Sequence, residues 1–169
     1  MTYDIVSLPS KNRRTPPKRG KTAPRRKNKE KTMTWYKKRA DAVFSQYMRQ
    51  KYADENGNIQ CYTCPTIRPL KKMQNGHFVG RKYLGTRYEE KNCRPQCWYC
   101  NGHGYGNGRP VEFAIGLKKE YGDSIVADLY AQAEPLIRDF DYQAIIEIYT
   151  QKLAQLSQKI EEPTSDPTN

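Results

Sequence analysis

The chain has 169 residues, a length that fits one domain with flanking tails. Only 36% of the residues are hydrophobic, and the mean hydropathy of −1.00 excludes a large apolar core, so the fold needs another source of stability such as a metal. The net charge of +12 indicates a polyanionic partner, with nucleic acid a better candidate than an anionic membrane surface. No apolar run approaches membrane-span length and the N-terminal residues lack a signal-peptide core, so we expect a cytoplasmic protein without a membrane partner.

The positive charge is concentrated at the N-terminus. Residues 1–31 contain eleven Lys and Arg but only two acidic residues, a net charge of +9. Four prolines and very few apolar side chains prevent this segment from burying a core, so the sequence predicts a disordered basic arm. The arm is either a solubilising or localising tail, or a non-specific contact for phosphates that gains free energy from counterion release.

Helical periodicity begins directly after the arm. The apolar positions from Trp35 to Met48 predict an amphipathic helix over residues 34–52, which ends before the turn at Asn56-Gly57. The stretch IQCYTC predicts a short strand that enters a metal-binding knuckle. Further on, VEFAIGLKKEYG predicts a helix with Pro110 in its first turn and Gly122 at its end.

The C-terminal part of the chain also reads as helical. SIVADLYAQAEPLIRDF predicts one broken helix, and DYQAIIEIYTQKLAQLSQKI predicts a longer helix capped by Asp141. Their apolar stripes pack either within the chain or between subunits. The predicted organisation is therefore a basic arm at 1–31, a core at 32–122, C-terminal helices at 123–160 and a disordered tail at 161–169.

Four of the five cysteines form two Cys-x-x-Cys pairs, at Cys61 and Cys64 and at Cys97 and Cys100. Four thiolates presented by two tight turns form a closed tetrahedral shell, which is typical of a structural Zn²⁺ rather than a catalytic one. Disulfides and free thiols are the alternatives, and disulfides are less suited to a cytoplasmic chain. The fifth cysteine, Cys93, is predicted to be a buried bystander, with competition for the metal as the alternative.

The central segment is strongly basic and contains an isolated histidine. Residues 65–109 hold nine basic against two acidic residues, a net charge of +7, so we expect the positive surface of the core to lie here. His77 is either a hydrogen-bonded structural residue, a residue that contacts phosphate, or a general base. The last role is open to it because neutral imidazole can deprotonate a water that attacks a phosphodiester. We expect the backbone of DNA to be contacted by basic residues of this segment, namely Arg81, Lys82, Arg87, Arg94 and Arg109.

The order Cys-x-x-Cys, Gly-His-Phe and Asn-x-x-Pro-x-Cys-x-x-Cys resembles that of HNH nucleases, whose ββα-metal fold is stitched by a zinc knuckle. More narrowly, DENGNIQCYTC, NGHFVGRKYLGTRYEEKNCRPQCWYCN and GNGRPVEFAIGLKKEYG resemble the NinG/Rap family of phage recombination nucleases. The likeness runs from about Trp35 to Gly122 and weakly to Ile160, with the arm outside it. It implies an α+β fold, a small zinc-stitched ββα-metal core flanked by N-terminal and C-terminal helices.

The resemblance also implies roles for individual residues. His77 matches the base that activates water, Asn92 matches the residue that ties down the hairpin loop and orients the His, and Asn101 falls where a metal-binding residue on the helix is expected. Gly76 stands where many HNH enzymes carry an Asp that binds the catalytic cation, and His103 and Asn75 are possible substitutes. The implied cofactors are structural Zn²⁺ and a catalytic Mg²⁺ or Mn²⁺.

The activity implied by the resemblance is metal-dependent hydrolysis of DNA phosphodiesters, on branched recombination DNA such as a Holliday junction or D-loop in the host cell. Two symmetric cuts in a four-way junction would require a homodimer, for which the C-terminal helices are candidates. A non-catalytic zinc ribbon that binds nucleic acid is the alternative from another class. A homing or restriction-type HNH nuclease would keep the chemistry but change the substrate.

Overall fold

The computed structural model describes residues 30–102 and 106–161. Residues 1–30 and residues 31–169 form two separate units, and the elements below all belong to the second. The predicted arm lies outside the described residues except for Glu30 and Lys31, and so does the predicted tail except for Glu161. His103 also lies outside them.

The first helix, α1, spans Met33–Lys51 and agrees with the prediction to within one residue at each end. Thr32 caps it, because its extended backbone lets the side-chain oxygen accept a hydrogen bond from the backbone N–H of Trp35 at 3.3 Å. The helix buries one stripe at helical spacing, consisting of Ala40, Val43, Phe44, Tyr47 and Met48. After it the chain turns at Asp54, whose Oδ1 accepts from the backbone N–H groups of Asn56 and Asn58.

Two small antiparallel hairpins follow. Strands β1 (Asn58–Gln60) and β2 (Ile67–Pro69) form the first, and β3 (Met73–His77) and β4 (Cys93–Cys97) form the second. A 3₁₀ turn at Leu70–Lys72 connects the hairpins, and the long β3–β4 loop carries the short helix α2 (Leu84–Arg87) and a 3₁₀ turn at Glu90–Asn92. The register of the second hairpin pairs Met73 with Cys97 and His77 with Cys93.

Three helices complete the described fold. Helix α3 (Pro110–Tyr121) has Pro110 at its first position and Gly122 after its end, and α4 (Ile125–Ala133) packs against it through Phe113, Leu117 and Leu129. Helix α5 (Tyr142–Glu161) is capped by Asp141, whose Oδ1 accepts from the backbone N–H groups of Gln143 and Ala144, each at 2.9 Å. None of the described helices combines the length and the apolar character needed to cross a membrane.

The α+β class is confirmed, and one helix prediction needs correction. The predicted broken helix over SIVADLYAQAEPLIRDF is helical only over α4, which ends with Glu134 as its C-cap because Pro135 lacks the N–H that the next helical hydrogen bond would need. Helix α5 packs its apolar stripe on α1, with the Tyr149 and Phe44 rings 4.7 Å apart. That stripe therefore packs within the chain.

Candidate metal centre and polar pocket

The two Cys-x-x-Cys pairs meet in space. Cys61 and Cys64 lie in the loop of the first hairpin, Cys97 ends β4, and Cys100 follows in the next turn. All four Sγ atoms lie within 4.8 Å of one another, and Cys64 and Cys97 are 3.8 Å apart. A regular tetrahedron with metal–sulfur bonds of ~2.3 Å has edges of ~3.8 Å, so the four cysteines are positioned to bind a metal ion with the geometry of structural zinc.

The surroundings of these thiols also suit a cation. The backbone N–H of Cys97 donates to Cys61 Sγ at 3.2 Å. Burial raises the pKa of Cys100 to about 12, whereas at Cys64 the hydrogen bonds from Thr66 outweigh burial and lower the pKa to about 6. Zinc binds cysteines as thiolates and would keep all four deprotonated, and the set of four sulfur donors fits such an ion.

Cys93 does not belong to this group. It is fully buried in β4 opposite His77, and burial raises the pKa of its thiol far above the ordinary value. The metal-binding group among the described residues consists of the other four cysteines. Cys93 is thus a buried apolar residue, and the idea that it competes for the metal is wrong.

His77 ends β3 and is held in one orientation by the β3–β4 loop. Its Nε2 lies 3.0 Å from the backbone carbonyl oxygen of Arg87, and because a carbonyl only accepts, Nε2 carries the proton of the neutral ring. Burial lowers the pKa of His77 to about 4, and the positive charges of Arg81 and Arg87 act in the same direction. At neutral pH the imidazole is therefore uncharged and keeps a lone pair on Nδ1.

Asn92 holds the loop that carries the Arg87 carbonyl. Its side chain is fully buried, accepts from the backbone N–H of Val79 at 2.7 Å, and donates to the backbone oxygens of Val79 at 3.0 Å and Thr86 at 2.9 Å. These bonds close the loop at both ends. Because Arg87 directly follows Thr86, the bond from Asn92 to Thr86 also holds the Arg87 carbonyl, which is the group that orients His77.

Arg87 and Arg94 do not lie where the sequence analysis expected DNA contacts. Arg87 is only 7% exposed and binds Asp41 of α1 through Nε at 2.8 Å and Nη2 at 2.6 Å. Arg94 is completely buried, pairs with Glu120 of α3, and donates to the backbone oxygen of Cys93 at 2.7 Å. Both guanidinium groups already have carboxylate partners, so they hold elements of the fold together and the prediction that they contact DNA is corrected.

His77 opens into a polar pocket of about 540 Å³, hereafter the His77 pocket. One wall is a stripe of α1, and the others come from β3, from the turn after it and from the segment after the second knuckle. Among its lining residues are the polar side chains of Asp41, Ser45, Arg49, Gln74, Asn75, His77, Arg81 and Asn101. Both polar atoms of the Asn75 amide are buried without a hydrogen-bond partner among the described residues.

Asn101 enters this pocket from a turn. The resemblance implied a position on the helix, but α3 begins only at Pro110, so that expectation is corrected. Its Nδ2 donates to Gln74 Oε1 at 2.9 Å, which leaves the amide oxygen of Asn101 available as a ligand. The two amides and His77 thus come together in one pocket although they are separated in sequence.

The other three predicted DNA contacts are closer to the surface. Arg81 and Lys82 are exposed in the turn after β3, and Arg81 lines the His77 pocket. Arg109 precedes α3 and forms an ion pair with Glu112 at 2.8 Å. Arg81 and Lys82 can reach a phosphate without breaking any ion pair among the described residues, whereas Arg109 cannot.

The wall that α1 contributes to the His77 pocket was not predicted from the sequence. Asp41, Ser45 and Arg49 recur every fourth residue and therefore lie on one face of the helix. Spacing of this kind, next to the apolar stripe of the same helix, is the signal that would have revealed them. The spacing does not show which element of the fold these three polar side chains face, because that depends on tertiary packing.

A family model described as the bacteriophage lambda NinG protein matches residues 7–161. The chain belongs to the NinG family. No curated protein and no solved structure matches this chain. The family match begins well inside the basic arm of this NinG-family protein, so the expectation that the resemblance excludes the arm is wrong. It also extends through all of α5, where the sequence analysis found only a weak likeness.

Proposed function

We propose that this NinG-family protein is a zinc-stabilised, metal-dependent DNA endonuclease that acts on branched recombination intermediates in the host cytoplasm. The observation that carries the proposal is a neutral His77, oriented by the Arg87 carbonyl, in a polar pocket with amide oxygens and arginines. A purely structural zinc ribbon has no need for such a pocket. The branched substrate comes from the family resemblance, and two symmetric cuts in a four-way junction would require a homodimer.

In the proposed reaction the chain supplies the base and the positioning groups. The Nδ1 lone pair of His77 accepts a proton from the attacking water, while Nε2 remains bound to the Arg87 carbonyl. The amide oxygens of Asn75 and Asn101 are hard donors of the kind Mg²⁺ and Mn²⁺ bind, and the unpartnered Asn75 amide fits a site that is completed by an ion and waters. Such an ion would stabilise the negative charge that develops on the phosphate and on the leaving 3′ oxygen.

The DNA backbone would be held by cations that have no carboxylate partner among the described residues. Arg81 and Lys82 are exposed beside the pocket, and Arg49 lines it, with Nη1 donating to the backbone oxygen of Met73 at 3.4 Å. The basic arm would add contacts that do not depend on sequence. These cations would bind DNA through the charge and the shape of its backbone rather than through its base sequence.

One observation favours the alternative of a non-catalytic zinc ribbon. Asp41 is the only carboxylate among the described residues that line the His77 pocket, and both its oxygens accept hydrogen bonds from Arg87. A cation in the pocket would therefore rely on neutral oxygen ligands, the substrate phosphate and water. A cleavage assay separates the two functions.

The decisive experiment incubates the protein with synthetic four-way junctions and with linear duplex of the same sequence, with Mg²⁺ or Mn²⁺ and with EDTA. We expect cleavage of the junction that requires the added ion. His77→Ala should reduce the cleavage rate by about 10²–10⁴-fold with little change in DNA affinity, because the imidazole acts in the chemical step.

Zinc content and circular dichroism of each preparation control for folding, and zinc must also be measured after EDTA treatment. Ser45→Ala is the matched control, because Ser45 lines the same pocket but has no proposed role in proton transfer. Wild-type cleavage by His77→Ala would refute the assignment of the base. A folded wild-type protein that binds junctions but never cuts them would favour the zinc ribbon.

A further inference from the structure

A second surface of the molecule has the chemistry of a nucleobase-binding site. Trp98 and Tyr99, the two residues inside the second knuckle, are 56% and 48% exposed. They line a groove of about 580 Å³ together with Arg68 and Lys72, here named the Trp98 groove; its remaining lining residues are Thr66, Pro69 and Cys97. Its size lies within the range of about 300–1,000 Å³ that is common for ligand pockets.

The two cations that line this groove are Arg68 and Lys72. Neither takes part in an ion pair among the described residues. The sequence contains no Asp or Glu from Cys61 to Tyr88, so the groove also lacks acidic neighbours along the chain on this side. Arg87 and Arg94 show the contrast, since each is paired with a carboxylate.

The aromatic residues are held at the surface by the metal-binding turn. Cys97 and Cys100 both belong to the four-thiol group, so the two residues between them are attached to the framework at both ends. Both rings are exposed to solvent next to the cations of the groove. Rigid exposed rings flanked by Arg and Lys are how proteins stack unpaired bases and bind their phosphates.

The Trp98 groove adjoins the His77 pocket along two segments of the chain. Lys72 in the groove is followed directly by Met73, which lines the pocket, and Tyr99 in the groove is two residues before Asn101. The groove and the pocket are therefore built from neighbouring parts of the same chain segments.

We propose that the Trp98 groove binds an unpaired stretch of DNA, with bases stacked on Trp98 and Tyr99 and phosphates bound by Arg68 and Lys72. The role of the groove in substrate choice rests on the proposed nuclease function. Binding of the unpaired strand does not require cleavage and can be measured separately. The groove would select substrates in which strands are locally unpaired.

The test uses the full-length, zinc-containing protein and an oligothymidylate of about 12 nucleotides, a length within the usual site size for single strands. Since the chain has two tryptophans, a Trp35→Phe background leaves Trp98 as the only indole. Oligothymidylate should quench its fluorescence in a saturable way. Trp98→Leu should weaken binding of the oligonucleotide about 5- to 100-fold, the loss expected for one stacked base.

Trp35→Leu is the matched control, because Trp35 is also an exposed tryptophan but lies on α1. Arg68→Ala with Lys72→Ala provides a second test that leaves the knuckle unchanged, and Lys119→Ala is its control on the exposed surface of α3. Both groove variants should weaken single-strand binding more than duplex binding. Zinc content is measured for every variant.

Unchanged oligothymidylate affinity in zinc-loaded Trp98→Leu and in the Arg68→Ala, Lys72→Ala double variant would overturn the inference. Equal weakening for single-stranded and duplex DNA would also overturn it, because the groove would then be a general backbone contact. Tighter binding of oligouridylate would refute the assignment to DNA. His77→Ala should lose cleavage but still bind oligothymidylate. This result would show that the groove binds DNA independently of the proposed catalytic base.

Discussion

At the level of single residues, the orientation of His77 depends on side chains far away in sequence. Its Nε2 is bound to the Arg87 carbonyl, and the guanidinium of the same Arg87 is bound to both oxygens of Asp41 on α1. Tyr88 adds a hydrogen bond from its hydroxyl to Asp41 at 2.9 Å. Asp41 is thus a positioning residue that acts on the proposed base through Arg87.

Asp41→Asn should lower the cleavage rate at saturating enzyme while the affinity for DNA stays near wild type. The substitution removes the charge that holds Arg87, so we also expect a loss of stability of about 1–3 kcal/mol. Single-turnover cleavage, measured at a temperature where circular dichroism shows the variant folded, separates the two effects. Ser45→Ala, one helical turn away, is the control. A folded Asp41→Asn protein that cuts at the wild-type rate would show that the Asp41–Arg87 pair only stabilises the fold.

Among the elements of the fold, the 3₁₀ turn Glu90–Asn92 joins the second hairpin to two helices. Glu90 binds Lys51 at the end of α1 at 2.6 Å and accepts a hydrogen bond from the hydroxyl of Tyr47 at 3.1 Å, and it also pairs with Lys152 of α5. One half-buried carboxylate therefore connects α1, α5 and the loop that carries the Arg87 carbonyl.

Glu90→Gln should destabilise the protein at pH 7 by about 1 kcal/mol, a modest value because both lysines are partly exposed and solvent screens their charges. Burial alone raises the pKa of Glu90, but Lys152 and Lys51 outweigh it and lower the pKa below its ordinary value of 4.5. A lowered pKa means that this stabilisation is complete above about pH 5 and is lost as the pH falls below 4.5 through the folded-state pKa.

Urea unfolding at several pH values measures this effect. The difference between wild type and Glu90→Gln should shrink as the pH falls below 4.5. Glu112→Gln is the control, because its partner Arg109 lies on the same exposed surface, and we expect no measurable change. A difference that stays constant down to about pH 3 would show that the charge of Glu90 is not responsible.

The two metal-binding turns connect the hairpins, whose own pairing is limited to three and five residue pairs. Cys97→Ser should lose the metal and the cooperative thermal transition of the core together, because three thiolates bind zinc less tightly and the hairpins alone bury little. Metal analysis and thermal circular dichroism measure the two properties. Cys93→Ala is the matched control and should retain the metal. A metal-free Cys97→Ser protein with an unchanged transition would contradict the structural role.

Across the whole molecule, the charge is divided between the arm and the central segment. Residues 1–31 carry +9 of the total +12, and residues 65–109 carry +7, so the remainder is net acidic. The proposed base and its pocket lie within the second unit. Binding and chemistry are therefore expected to be separable.

Deletion of residues 1–31 should weaken DNA binding and preserve cleavage at saturating enzyme. For every phosphate that the arm no longer neutralises, the slope of log K against log salt should become shallower by about 0.9 on duplex DNA. Binding titrations at several salt concentrations measure the slope, and a deletion of residues 162–169 is the control. An unchanged affinity and slope would assign the arm to localisation or to a protein partner.

Features that depend on local spacing could be predicted from the sequence. The helical period predicted α1 and α5, and Pro110 in the first turn and the capping residue Asp141 predicted where two helices begin. The two Cys-x-x-Cys pairs predicted the four-thiol group. Such features follow from backbone geometry and ligand chemistry within a few residues, and no long-range contact is needed to recognise them.

The availability of charged residues and the surroundings of His77 emerged only from the folded chain. Arg87 and Arg94 have the same sequence signature as Arg81, yet the first two are buried against Asp41 and Glu120, which lie 46 and 26 residues away. The lowered pKa of His77 likewise comes from its burial, which depends on how the elements around it pack. The local sequence gives the charge of a residue but does not show its distant partner. Burial and ion pairing arise only when distant segments of the chain pack together.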